Sequence, residues 1–118
     1  MLQSDRPEVA LGWEEVMIAI ADAEGYFLPL GNRHWAFFCE GGPQLLVTFE
    51  EISLLQESED KLPEHFGLAK ARGWSLMTIL CEGETWWRDP SVFDYFNRLS
   101  DASFFDGFDR VIFYGAGI

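Results

Sequence analysis

The stretch FFCEGGPQLLVTF, residues 37–49, joins two apolar runs through Gly41–Pro43, three residues that interrupt regular structure. The first run belongs to an aromatic-rich segment, 34–40, whose composition is typical of a β-strand. The second run, LLVTF at 45–49, is apolar nearly throughout, as expected of a parallel strand that is covered on both faces. Two connections are open: an antiparallel hairpin that pairs the two runs, or a crossover that leaves room for another strand between them.

Two further apolar runs, SLMTIL at 75–80 and RVIFY at 110–114, also have the character of buried strands. A short helical pattern over 65–72, with Leu68 and Ala69 on its inward side and Gly73 at its end, precedes the first of them. A second apolar stripe at helical spacing follows Pro90 and contains Val92, Phe93, Phe96 and Leu99. Asp89 is predicted as the N-cap of this helix and Pro90 as its first residue. The alternation of strand, helix, strand, helix and strand favours parallel strands joined by right-handed crossovers. We therefore predict an α/β fold with a mostly parallel sheet and helices on both faces.

The amino-terminal part of the chain adds one helix and one short extended segment. Residues 12–24 carry an amphipathic apolar stripe, which predicts a helix that Gly25 can end. Tyr26–Leu30 forms a short extended run. The charged segment 50–62 is predicted to be mostly loop, with one helical turn at 52–55.

The length and the charge exclude several classes of protein. The chain has 118 residues, with 20 acidic side chains against 8 basic ones and a net charge of −12. This length predicts a single domain, 1–118, and leaves no room for a large two-domain enzyme. The negative charge would repel nucleic-acid backbones and anionic membrane surfaces, so we expect neither as a partner.

The two cysteines, Cys39 and Cys81, both lie in apolar runs and are predicted to be buried thiols. The sequence has no Cys-x-x-Cys pair and no Cys/His cluster with zinc spacing, so we predict neither a metal nor another cofactor. The first eight residues are polar and acidic and lack the features of a signal peptide. Together these features predict a cytoplasmic protein.

The stretch 37–49 and the carboxyl-terminal segment DRVIFYGAGI, 109–118, together resemble the amino-terminal portion of the α/β-hydrolase family. In that family a Gly-Gly-Pro connection joins two strands, and a later strand runs into the nucleophile elbow, the turn G-x-S-x-G. The resemblance implies that the strand 75–80 lies between the two strands that Gly41–Pro43 joins. It also implies that RVIFY lies beyond the second of them, beside LLVTF and parallel to it.

The same resemblance places a catalytic site where this chain lacks the required side chains. Ligands of open parallel sheets bind beyond the carboxyl ends of the strands. Matching the elbow to this chain puts Gly115 at its first glycine and Gly117 at the position of the nucleophile, where glycine has no side chain to attack with. The oxyanion segment, usually His-Gly, corresponds to Glu50 and Glu51, whose charges would oppose a developing oxyanion. We therefore predict no catalytic residue and assign Glu50, Gly115 and Gly117 to a candidate ligand or partner surface.

The loop EGETWWRD, residues 82–89, completes that candidate surface with Glu82, Glu84, Trp86 and Trp87. Aromatic faces beside carboxylates suit sugars, cations or a partner protein. Glu82 and Glu84 share one side of an extended segment, although two carboxylates without further ligands are usually a solvated edge. Adjacent tryptophans point to different sides, so the sequence leaves open which of them is exposed.

The chain also resembles small proteobacterial proteins labelled phosphoadenosine-phosphosulfate reductase. The segment GAGI, 115–118, is compatible with the start of the dinucleotide fingerprint G-x-G-x-x-G, which requires a following helix. The sequence contains no Ser-Gly-Gly phosphate loop and no Glu-Cys-Gly-x-His segment, which are the hallmarks of the reductase. A nucleotide or phosphosulfate-binding role would predict thermal stabilisation by adenine nucleotides.

The position of RVIFY has a consequence for assembly. If no later strand covers it, this strand forms a sheet edge, and an exposed apolar edge invites pairing with another chain. We therefore expect a homo-oligomer or a partner protein at this edge. Three functions follow from the sequence: a non-catalytic α/β-hydrolase-like domain with a structural or binding role, the amino-terminal part of a hydrolase whose catalytic residues lie beyond residue 118, and the nucleotide-binding module.

Overall fold

The computed structural model describes residues 12–83 and 89–114, which form a five-stranded sheet with helices on both faces. Five residues of the predicted candidate surface lie outside the described residues: Glu84, Trp86, Trp87, Gly115 and Gly117. In chain order, the elements are α1 (Trp13–Glu24), β1 (Gly25–Leu30), β2 (His34–Cys39), β3 (Gln44–Glu51), α2 (Ile52–Glu57), α3 (Phe66–Arg72), β4 (Ser75–Cys81), α4 (Pro90–Asp101), a 3₁₀ turn (Phe104–Gly107) and β5 (Arg110–Tyr114).

The strand order is β1-β2-β4-β3-β5, so β4 lies between the two strands that the Gly-Gly-Pro connection joins. The hairpin alternative is therefore wrong. β3 pairs in parallel with β4 on one side and with β5 on the other. β2 is antiparallel to both β1 and β4.

The sheet is thus mixed, and the prediction of a mostly parallel sheet is wrong. The physical reason lies in the connections. Strands joined through helices, β3 to β4 and β4 to β5, run in the same direction, as βαβ units require. The turn after β1 and the short Gly-Gly-Pro connection each reverse the chain, so β2 runs against both β1 and β3. Because β4 is parallel to β3, it is antiparallel to β2.

The connection Glu40–Pro43 spans the width of β4 because two glycines let it pass close to the start of that strand. β2 and β3 are two strand spacings apart, roughly 10 Å, which four extended residues can cover. A Cβ added to Gly41 would lie 2.2 Å from the carbonyl oxygen of Trp74. The Ser75 hydroxyl then fastens the crossing, since it accepts from Gly41 N at 2.8 Å and donates to Gly42 O at 2.9 Å.

Two apolar layers cover the two faces of the sheet. Helices α1, α2 and α3 pack on one face, where residues such as Phe37, Leu46 and Leu80 form the core. Helix α4 and the 3₁₀ turn pack on the other face, over Val47 and Met77 among others. Strands β3 and β4 are buried on both faces, as their continuous apolar runs predict. Within the described parts of the chain, each helix is too short or too polar to cross a lipid bilayer.

The two cysteines are both buried, as predicted. Cys39 Sγ donates to a Glu24 carboxylate oxygen at 3.0 Å, and the same oxygen forms an ion pair with Lys70 Nζ. Burial, and then the bond to Glu24, raises the pKa of Cys39 to about 11, so this thiol stays protonated at neutral pH. The contact ties α1, β2 and α3 together at one corner of the domain.

Two local predictions differ from the structure. The segment 50–62 contains the helix α2, because Ile52 and Leu55, one turn apart, are both buried beneath it. In α3, Ala69 is buried as expected, whereas Leu68 is exposed. Gly73 ends α3 in the left-handed conformation at φ +70°, which favours glycine.

Helix α4 begins as predicted, with Asp89 as its N-cap and Pro90 in its first turn. The Asp89 carboxylate accepts from Ser91 N at 2.8 Å. The helix buries Val92 and Tyr95 and leaves Phe93 exposed, because the hydroxyl of Tyr95 finds a partner inside, 2.5 Å from that of Tyr26. The predicted stripe therefore includes Phe93, which is exposed, and omits Tyr95, which is buried.

Candidate functional site

The carboxyl ends of β3, β4 and β5 meet at one edge of the sheet, which is where a ligand site was predicted. Glu51 is level with Cys81 on β4, and Thr48 is level with Tyr114 on β5. The edge also receives the start of β2, since His34 pairs with Cys81. Of the seven candidate site residues, the structure describes Glu50 and Glu82.

Glu50 is not presented on the surface. Its side chain is 7% exposed and lies on the face that α1, α2 and α3 cover. The carboxylate accepts from the backbone N–H of Glu64, with Oε1 at 3.0 Å and Oε2 at 3.2 Å from the nitrogen. Glu50 therefore holds the loop that leads into α3, and its oxygens are turned towards the protein.

Burial raises the pKa of Glu50 above its ordinary value of 4.5, and the nearby Glu64 carboxyl raises it further. The hydrogen bond from the Glu64 N–H lowers it and only partly offsets the burial. A buried carboxylate whose partner is one neutral N–H is costly to ionise.

This shift predicts a pH dependence of stability. A carboxyl whose pKa is higher in the folded chain stabilises the fold while protonated, and that contribution is lost as the pH rises through the folded pKa. In Glu50→Gln the amide oxygen still accepts from Glu64 N, but the group no longer ionises. We expect the free energy of unfolding of the native chain to fall relative to that of Glu50→Gln as the pH rises above 4.5.

Urea denaturation at several pH values measures this difference. Glu51→Gln is the control for the loss of one negative charge at the adjacent position. A native-minus-Glu50→Gln difference that stays constant with pH would show that ionisation of Glu50 is not coupled to folding.

Glu82 differs from Glu50 in its exposure to solvent and in its place on the sheet, after the end of β4. It is exposed, and its backbone, not its carboxylate, makes the described contacts. Glu82 N donates to Arg33 O at 2.8 Å, and Arg33 Nη2 donates to Glu82 O at 2.9 Å. These bonds fasten the end of β4 to the turn before β2 and leave the Glu82 carboxylate at the solvent-facing end of the strand.

The structure brings both histidines of the chain, His34 and His65, to the carboxyl edge. The His65 ring contacts Tyr114, with centroids 4.9 Å apart, beside the end of β5. His34 is fully buried on the α4 face, and burial lowers its pKa, which favours the neutral ring. No sequence motif indicates either position, because His34 reaches the edge through strand register and His65 through the packing of α3 against the sheet.

A pair of hydroxyls lies deeper at the same edge. Thr48 and Thr78 face each other across β3 and β4, with their Oγ1 atoms 2.8 Å apart, and both are buried. Each satisfies the other, as buried polar groups require. Within residues 12–83 and 89–114 no group of three or more His, Cys, Asp or Glu side chains is placed to hold a metal ion.

Comparisons with family models, with curated proteins and with solved structures give no match to this chain. The interpretation of the edge therefore depends on the geometry given above.

Proposed function

We propose that the chain is an α/β-hydrolase-like domain that acts by binding and not by catalysis, and that its binding element is the free edge of β5. Among the described residues, β5 pairs with β3 alone and has no strand on its other side. Phe113 is 58% exposed and Tyr114 is 49% exposed. This open edge with large aromatic side chains is the observation that carries the proposal.

The strand arrangement supports the α/β-hydrolase-like part of the proposal. The resemblance implies that β4 lies between β2 and β3, and that β5 runs parallel to β3 on its far side. The described sheet has both features. The buried Glu50, bonded to Glu64 N, stands where the family has its oxyanion segment, which supports a domain without the catalytic apparatus.

The β5 edge carries a continuous aromatic surface on the α4 face. The ring of Phe113 lies 6.2 Å from that of Phe96 and 6.4 Å from that of Phe105, and these two rings are stacked on each other. A strand added to β5 would therefore gain main-chain hydrogen bonds from the edge and apolar contacts from this aromatic surface.

A second copy of the chain is the partner that fits this edge best. Two β5 strands paired antiparallel about Ile112 would place Val111 opposite Phe113 of the second copy. The same register would put Arg110 opposite the exposed ring of Tyr114, a favourable cation–π arrangement. A two-fold interface of this kind is self-complementary and turns two five-stranded sheets into one of ten strands.

The test compares two variants with matched exposed residues. In Phe113→Lys, the added charges repel each other across the two-fold axis and abolish the aromatic contact. Sedimentation equilibrium is expected to show a monomer–dimer equilibrium for the native chain and at least a tenfold weaker one for Phe113→Lys, about 1.4 kcal/mol. Leu54→Lys, at a residue of similar exposure on α2, is the control and is expected to keep the native equilibrium.

Salt provides a second measurement. Each copy carries a charge of −12, so the copies repel each other at low ionic strength. Because salt screens exposed charges, we expect the dimer to become more stable as the salt concentration rises. A native chain that stays monomeric at millimolar concentration and high salt would overturn pairing with a second copy.

A second candidate function, the amino-terminal part of a hydrolase, is favoured by the parallel alignment of β5 with β3. In that case the next strand of a longer chain would cover the β5 edge. A longer sequence with a Ser, Cys or Asp in the elbow and a later His would favour this candidate. Under the main proposal, residues 1–118 hydrolyse a nitrophenyl ester no faster than buffer does.

A further inference from the structure

A cleft of about 550 Å³ opens at the end of the sheet opposite to the carboxyl edge, between the Gly-Gly-Pro connection and the 3₁₀ turn. Its size is within the range of small-molecule sites. Three aromatic side chains form its apolar wall: Phe38, Phe104 and Phe108. The cleft is distinct from the β5 edge and from the residues of the carboxyl edge.

The aromatic wall is held in place by its own contacts and by the backbone. The ring of Phe104 lies 5.4 Å from those of both Phe38 and Phe108. Asp109 N donates to Pro43 O at 2.7 Å, which fastens the chain after the 3₁₀ turn to the connection on the other side of the cleft. The two sides therefore have a fixed separation, as a preformed site requires.

The polar groups that line the cleft differ in whether their hydrogen bonds are already made within the protein. Ser75 uses its hydroxyl on Gly41 N and Gly42 O, so this part of the connection is already satisfied. Glu40 is the one charged residue among those that line the cleft, and it is exposed. Its backbone N–H donates to Glu24 O at 2.8 Å, which fixes the position of its backbone at the cleft.

We propose that this cleft binds a small organic cation that carries an alkylated ammonium group. Aromatic faces attract such cations through their quadrupole, and quaternary ammonium groups are bound in proteins by aromatic side chains. The Glu40 carboxylate supplies a negative charge at the same place, and the net charge of −12 raises the local concentration of cations. An alkylated ammonium group presents apolar surface to the rings and its charge to the carboxylate.

The test titrates choline and its neutral isostere, 3,3-dimethyl-1-butanol, into the full chain and follows backbone amides by NMR. We expect choline to shift the amides of Gly41, Gly42 and Gly107 saturably. The neutral isostere is expected to bind about fivefold more weakly or worse, because only the charge distinguishes the two. Equal affinities would overturn recognition of a cation, and the absence of saturable shifts with choline would overturn the site itself.

Two pairs of variants locate the interaction. Glu40→Gln is expected to remove the preference for choline, whereas Asp106→Asn, at an exposed residue of the 3₁₀ turn outside the cleft, keeps it. Phe104→Leu is expected to weaken choline binding, whereas Phe93→Leu, at an exposed residue of α4 outside the cleft, keeps native binding. If Phe104→Leu fails to fold by circular dichroism, the exposed Glu40 still decides the question, and an unchanged preference in Glu40→Gln would overturn the proposal.

Discussion

Gly41→Ala is expected to lower the free energy of unfolding by about 1–3 kcal/mol, the usual cost of overpacking. The added Cβ would lie 2.2 Å from the carbonyl oxygen of Trp74 and 2.6 Å from its carbonyl carbon, distances that real Cβ atoms do not show. These neighbours are backbone atoms, so no side chain can rotate away to make room. The crossing over β4 would have to shift, and with it the hydrogen bonds to Ser75.

Gly67→Ala is the matched control, since it makes the same chemical change at an exposed position in α3. No atom lies within 4 Å of the Cβ that it would add. It is expected to raise the free energy of unfolding by about 0.4–1 kcal/mol, because alanine has less freedom to lose in the unfolded chain. Urea denaturation of both variants measures the contrast. Equal effects of the two substitutions would contradict the close crossing of Gly41 over β4.

Phe37→Ala is expected to lower the free energy of unfolding by about 3–5 kcal/mol, the range for removing a buried aromatic ring. Phe37 is fully buried in the middle of β2, on the face covered by α1, α2 and α3. Its ring lies 6.4 Å from that of Phe66 in α3. The substitution would leave a cavity between the sheet and this helix layer, which the surrounding strands are too constrained to fill.

Phe93→Ala removes the same ring from α4, where it is 55% exposed, and is expected to change the free energy of unfolding by less than about 0.5 kcal/mol. If Phe37→Ala destroys folding altogether, Phe37→Leu, which retains part of the volume, still allows measurement by urea denaturation. A loss as small as that of Phe93→Ala would contradict the burial of Phe37 between two layers.

The parallel alignment of RVIFY with LLVTF is what the family resemblance implies, and the sequence pattern is compatible with it, since both runs are largely apolar and each is joined to β4 through a helix. The caps of α4 follow equally well, since Asp89 and Pro90 act on their own neighbours. The direction of β2 could not be predicted in the same way. It depends on whether a four-residue connection crosses over a strand that appears only 30 residues later.

The sequence indicates where the carboxyl ends of the strands meet, but it does not indicate which side chains lie there. The carboxyl edge could be located, because parallel strands bring their ends together. The burial of the Glu50 carboxylate could not be predicted. The N–H group that binds it belongs to Glu64, in a loop without a sequence signature. His65 reaches Tyr114 for the same reason, through the packing of α3 against the sheet. No local sequence pattern indicates the aromatic cleft beside Glu40 either. Its walls come from β2 and from the 3₁₀ turn, which are more than 60 residues apart in the chain.

By itself, the sequence determined which segments of this protein are strands and helices, except for α2, and also where α3 ends, where α4 begins and which strands are buried on both faces. These properties depend on neighbours in the chain and on the spacing of apolar side chains. The tertiary structure alone decided the direction of β2, the burial of Glu50 and the aromatic cleft. Each of these depends on a contact between distant segments, and the free energy of such a contact is not encoded in either segment taken alone.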